Sequence, residues 1–308
     1  MRTVQYVEFG GPEVLHTGEA TRPTPGRGQV LVRVLVSGVN PVDAKVRQGI
    51  LSHIPVTFPV VPGWDLAGIV EEVGVDVTDL APGDAVLGTT MDTSTDRGTA
   101  AEFAVASRHE LARIPEGLGW NEAAALPLAG LTAVQALRAA GIASDDTVLI
   151  HAAAGGVGHL AVQLAIASGA RVIATASERN HDLLRSLGAE PVTYGEGLVA
   201  RVRALAPDGV DVVLDLGGGP DAESTDGVGA PGARLVSITQ PAVVDRGGVF
   251  VSVHADADDL AALTSAVAAG ALRVVVTAAF PLEEAALAHA LVESGTARQK
   301  VVLRVADA

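Results

Sequence analysis

The apolar residues in the first third of the chain crowd into short β-branched runs. "QVLVRVLVSGV" (29–39) and "GIVEEVGVDV" (68–77) are bounded by the turn formers "RPTPGRG", "VPGWD" and "LAPGDAV". Residues 1 to about 115 therefore read as strands and turns. After "RIPEGLGW" the period changes. "NEAAALPLAGLTAVQALRAAG" reads as helix, with a break expected at Pro127 and a stop at Gly141. From there strand and helix alternate: "TVLIH", "LAVQLAIASG", "RVIATAS", "NHDLLRSLG", "EPVTY", "LVARVRALA", "VDVVLDL" and "GARLVSI". That rhythm predicts an α/β domain, a doubly wound parallel sheet with helices on both faces. "VFVSVHA" would be its sixth strand. The tail ("LRVVVTAAF", "PLEEAALAHALVESG", "KVVLRV") returns to strand–helix–strand and is expected to rejoin the first domain.

Composition changes this picture in three ways. Hydrophobic residues make up 48% of the 308 and aromatics only 3%, so the core must be built from Ala, Val, Leu and Ile. The net charge of −15 repels phosphate backbones and anionic lipid, which argues against nucleic acid or a membrane as partner. With no cysteine, disulfides, thiolate metal sites and a cysteine nucleophile are all excluded. "MRTVQYVEFGG" lacks the design of a secretion signal and no apolar run is long enough to span a bilayer, so a cytoplasmic location is expected.

The chemistry gathers at "HAAAGGVGHLAVQLA" (151–165). A strand runs into Ala153-Ala154-Gly155-Gly156-Val157-Gly158 and a helix follows, the context a dinucleotide-binding turn requires. The first glycine of that fingerprint is alanine here. Gly155 lets the backbone approach a pyrophosphate, and Gly158 lets helix and strand pack closely. The helix start offers free N–H groups and a favourable dipole. His151 reads as a hydrogen-bonded structural residue. The second strand should end near Thr175, followed by Ala176, Ser177, Glu178 and Arg179. A carboxylate at 176 would repel a 2′-phosphate, and none is there. Ser177 and Arg179 can bind one, which favours NADPH, while Glu178 either points outward or binds a ribose.

Several stretches together resemble one family. "SGVNPVDAKVRQG", "VPGWDLAGIVEEVG", "LAPGDAVLG", "GTAAEFAVAS", "LPLAGLTAVQAL", "HAAAGGVGHLAVQLA" and "KVVLRV" are similar to the medium-chain dehydrogenase/reductase superfamily, in its zinc-independent quinone oxidoreductase (zeta-crystallin-like) branch. They run nearly end to end in the family's order. The resemblance implies a GroES-like catalytic domain over 1–118, completed by 268–308. It also implies a Rossmann domain over 119–267, a cleft between the two, and a homodimer. Zinc-dependent relatives have a cysteine where this chain has Asn40, and a Gly-His-Glu motif where it has Gly63-Trp64-Asp65. Asp65 alone cannot hold zinc. The implied reaction is hydride transfer from NADPH to a small-molecule quinone or α,β-unsaturated carbonyl, whose charge delocalises to an oxygen that hydrogen bonds can stabilise. Two alternatives stay open: a tailoring enoyl reductase acting on polyketide-type intermediates, and a non-catalytic NADPH-binding structural or regulatory protein.

The same resemblance assigns roles. Asn40 would lie by the nicotinamide and the substrate carbonyl, against a plain turn residue before Pro41. Thr132 would contact the nicotinamide end, against helix packing. Lys45 falls where many relatives have a cleft-lining tyrosine, against a solvated cation. Tyr194 would sit beside the adenosine 2′-phosphate, Gly217 at the end of the fourth strand, and Phe250 and Val251 by the cofactor's far end. Asp43 is expected to tie its loop and His53 to lie on a surface loop. Lys300, preceded by Gln299 rather than glycine, is given no function.

Overall fold

A computed structural model describes residues 1–51, 54–91, 97–218 and 227–307; His53 lies outside them. The chain forms two compact units: 1–128 with 254–270 and 274–308, and 129–253 with 271–273.

The first unit opens with an antiparallel pair, β1 (Arg2–Gln5) and β2 (His16–Glu19). Its main sheet is organised around β3 (Gln29–Val39), where Val30, Leu31, Val32, Val34, Leu35 and Val36 are all buried. An apolar run covered on both faces must be a central strand. β4 (Asp65–Val73), β5 (Ala85–Thr89), β6 (Phe103–Ser107) and β7 (Leu111–Arg113) build outward from it, all antiparallel. Residues 41–47, expected as a turn, instead form the helix Pro41–Arg47. Asn40 sits at its N-cap with extended backbone, Pro41 supplies a ready-set φ, and the Asn40 N–H donates to Asp43 Oδ2 at 2.7 Å.

The second unit holds six parallel strands: β8 (Thr147–His151), β9 (Arg171–Thr175), β10 (Glu190–Val192), β11 (Val210–Asp215), β12 (Gly229–Ser237) and β13 (Val249–Phe250). Their spatial order, β10-β9-β8-β11-β12-β13, is that of a Rossmann sheet, with its switch point between β8 and β11. Two strands are shorter than the sequence pattern suggests: "EPVTY" stops at Val192 and "VFVSVHA" pairs only at Val249–Phe250. Leu149, Ile173, Val213 and Val202 meet in the core of this unit, without an aromatic among its buried members.

The chain then returns to the first unit. The helix Ala257–Ala268, capped by the Asp256 carboxylate, packs on β7. β14 (Val276–Pro281) lies parallel to β15 (Lys300–Arg304), and β15 pairs antiparallel with β3. Among the described residues, no helix is long and apolar enough to cross a membrane.

Candidate active site

In the second unit the glycine turn stands at the carboxyl end of β8, beside the switch point. Ala152 has a left-handed backbone (φ 52°), and its N–H and that of Ala153 bond to Thr175 at the end of β9. A Cβ on Gly158 would lie 2.3 Å from the Ala152 carbonyl oxygen and 2.6 Å from Ala153 Cα, so only glycine lets the helix Gly158–Ala167 start this close to the strand. A Cβ on Gly217, past the end of β11, would come within 2.6 Å of Ala152 Cβ. The Gly156 and Val157 N–H groups donate to no described residue and remain free for an anion. His151 is buried, with Nδ1 3.3 Å from Thr175 Oγ1.

The neighbouring strand tips carry the other expected contacts. Ser177 accepts from Asn180 Nδ2 at 3.2 Å and keeps its own proton to donate. Glu178 and Arg179 are exposed, and Arg179 has no ion-pair partner among the described residues. Tyr194, half exposed, rides on a loop held from beneath by Arg201, whose guanidinium donates to the carbonyls of Thr193, Tyr194 and Gly195. Phe250 ends β13, and the Val251 N–H donates to Ser237. Sequence reasoning missed Asp215. Its Oδ1 accepts the Gly217 and Gly218 N–H groups, and its Oδ2 accepts Ser237 Oγ (2.6 Å) and Thr239 Oγ1 (2.8 Å), which shapes the two loops after β11 and β12. Thr132 is buried within the helix Pro127–Ala140.

In the first unit, three adjacent strands bring polar side chains to one sheet end. β15 begins with Lys300, β4 begins with Asp65, and Asn40 follows β3 between them. Gly38 makes the approach possible, since a Cβ there would meet Asp65 Cβ at 2.7 Å and the Ala124 carbonyl at 2.6 Å. Lys300 Nζ donates to Asn40 Oδ1 (2.5 Å) and lies 3.3 Å from Asp65 Oδ2; Asn40 Nδ2 donates to that same Asp65 oxygen (2.9 Å). Asp65 Oδ1 accepts the Leu128 N–H at 2.7 Å. Asn40, Asp65 and Lys300 are exposed by only 4%, 0% and 3%, so each charge is compensated within the cluster and not by water.

Asp43 lies against this group with one oxygen, Oδ1, unpartnered. Burial pushes its carboxyl up to about 7, the Asn40 N–H pulls the other way, and the negative charge of Asp65 raises it further. Lys45, two residues on, is exposed on the same helix. The sequence signal for Lys300 was faint: one of two lysines, opening an apolar strand.

The two residue sets differ in what they can hold. The turn residues, with their free N–H groups and missing side chains, fit the pyrophosphate of a dinucleotide. The Asn40 cluster does not fit zinc. An ion 2.0–2.2 Å from the Asn40 and Asp65 oxygens would collide with the Lys300 ammonium, which is already bound to both, and no thiolate exists to replace them.

Two family models match the chain, "Alcohol dehydrogenase GroES-like domain" over 26–116 and "Zinc-binding dehydrogenase" over 187–303. A quinone oxidoreductase of Lama guanicoe is 32% identical, with 98% of this chain and 97% of that protein aligned. An NADPH-dependent alkenal/one oxidoreductase of Arabidopsis thaliana chloroplasts is 34% identical over 98% of this chain and 79% of its own length. The crystal structure of Escherichia coli quinone oxidoreductase complexed with NADPH superposes with a TM-score of 0.86 at 27% identity, covering 99% of this chain and all of that one. Sheet order, glycine turn and near full-length similarity agree: the chain belongs to the quinone oxidoreductase (zeta-crystallin-like) branch of the medium-chain dehydrogenase/reductase superfamily.

Proposed function

We propose that this protein is an NADPH-dependent reductase of quinones and α,β-unsaturated carbonyls. One observation carries the reading: a backbone cradle, closed to any side chain at Gly158 and Gly217, stands at the switch point of a Rossmann sheet. The NADPH-dependent relatives support the same cofactor. In this reading the second unit binds the dinucleotide, with Ala154 to Gly158 on the pyrophosphate and Ser177, Arg179 and Tyr194 around the 2′-phosphate. Gly217, Phe250 and Val251 border the remainder.

When bound, NADPH supplies a hydride. The protein's own task is to orient the acceptor and receive the charge. Hydride added at the β-carbon of an enone turns the alkene pair into a bond to the carbonyl carbon and drives the carbonyl pair onto its oxygen, and that enolate oxygen needs a hydrogen-bond donor until solvent delivers a proton to the α-carbon. The Asn40 amide is our candidate donor, with Lys45 and Thr132 as further contacts to substrate and nicotinamide. The acceptor is a small molecule, and we place the chain in the cytoplasm as a homodimer, the assembly its family resemblance implies.

Steady-state oxidation of NADPH and of NADH by the purified full-length chain, against a panel of quinones and enones with and without a chelator, tests this. Turnover favouring NADPH and indifferent to chelation is expected. Tight NADPH binding with no turnover on any acceptor would instead mark a structural or regulatory protein.

A further inference from the structure

A buried asparagine amide has two ends of nearly equal size, one a donor and one an acceptor, and can be turned over without changing shape. At Asn40 it cannot. An ammonium only donates and a carboxylate only accepts, so Lys300 must face Oδ1 and Asp65 must face Nδ2. One Nδ2 proton is thereby spent on Asp65. The other meets no acceptor among the described residues.

We infer that Lys300 is a positioning residue for the reduction: anchored by Asp65, it locks and polarises the Asn40 amide so that the second Nδ2 N–H is held as a donor for the substrate oxygen that gains charge. The inference rests on the reading of Asn40 as a substrate contact. Polarisation follows from the Lys300–Asn40 bond, because a cation drawing on Oδ1 leaves the N–H protons more positive. The strand register makes the device stiff, since all three side chains leave neighbouring strand ends.

The device also separates the two substrate classes. An enone places the incoming electron pair largely on a single oxygen and depends on a donor there. A quinone spreads it over an aromatising ring and depends on it less. Losing the lock therefore reduces enone turnover more than quinone turnover, a split that general damage to the fold does not produce.

Lys300→Met alone strands a buried Asp65 charge and can fail to fold. The charge-neutral pair Lys300→Met/Asp65→Asn avoids this: the Leu128 N–H holds the oxygen of an asparagine at 65, whose NH2 group then faces Asn40 and no longer accepts from its Nδ2, so the lock is lost. Expected for the pair are unchanged NADPH affinity by fluorescence titration, a kcat for an enone lower by about 10- to 100-fold with KM little changed, and a kcat for a quinone lower by less than about 5-fold. Adding Asn40→Ala to the pair should cost less than about 3-fold more, since the same donor is already lost. Equal losses on both acceptors, or no loss, would overturn the inference. If the pair does not fold, Asn40→Ala alone, which keeps the Lys300–Asp65 bridge, must show the same acceptor split, and an equal loss again overturns it. Failure of the functional reading looks different: the wild-type chain would reduce neither acceptor.

Discussion

The glycine turn after β8 and the polar cluster at the end of β3 solve opposite problems. The turn spans seven consecutive residues, 152–158, and works by leaving side chains out. The cluster draws Asn40, Asp43, Asp65 and Lys300 from across the chain, all buried, and works through their side chains, which bond to one another and to the backbone N–H groups of Asn40 and Leu128. The first is sensitive to volume and carries no charged side chain. The second is sensitive to charge and, because its members are hydrogen-bonded in place, to the identity of single atoms. A chain can thus recognise a constant ligand with its backbone and keep its side-chain chemistry for the variable partner.

That contrast can be broken at either region. The largest effect is expected at Asp65→Ala, which leaves the Lys300 ammonium buried without its Asp65 counter-charge and removes the carboxylate that accepts the Leu128 N–H; about 3–5 kcal/mol of stability should be lost in denaturant titrations. Asp43→Asn comes next. The unfolded carboxyl ionises near 3.8 and the folded one near 7, so between these values the folded state keeps a proton the unfolded state has lost. Asp43 therefore stabilises the fold at low pH, and its contribution falls away as pH rises through about 7. Asparagine cannot ionise and should be more stabilising, relative to wild type, at pH 8 than at pH 5, by roughly 2.5 kcal/mol, since about two units of the shift lie above pH 5 at 1.36 kcal/mol per unit. His289, which burial holds down to about 3, works in the other direction below pH 6.5, and comparing variant with wild type at each pH cancels it.

At the turn, Gly158→Ala forces a methyl against the Ala152 carbonyl and Ala153 Cα; about 1–3 kcal/mol of stability should go, together with most NADPH binding, while any charge-sensitive behaviour of the Asn40 cluster stays unchanged. The smallest expected effect is at Arg179→Ala, about 10-fold (~1.4 kcal/mol) on NADPH affinity with NADH nearly untouched. Equal losses for the two cofactors would mean that Arg179 does not read the 2′-phosphate.

How much of this was legible in advance follows the same divide. The turn, the strand alternation and the helix break at Pro127 are local patterns, written in consecutive residues, and the sequence carries them openly. The helix Pro41–Arg47 is too short for its periodicity to stand out, and its Asn-Pro start reads equally well as a turn. Lys300 and Asp215 were unreadable for a stronger reason. A lysine at the head of a strand is ordinarily solvated, and only the pairing of β15 with β3 brings it to Asn40 across 260 residues. Asp215 acquires its meaning from β12, whose last residue Ser237, with Thr239 just beyond it, meets it only once the parallel pair forms.

All of these roles depend on direct delivery of hydride from bound NADPH to the acceptor. Single-turnover reduction of an enone in the presence of NADPH deuterated on both C4 positions, with the product read by mass spectrometry and NMR, measures this. One deuterium at the β-carbon and one solvent-derived proton at the α-carbon is the predicted result; a β-carbon carrying only solvent hydrogen, or an unreduced enone beside oxidised cofactor, would contradict it.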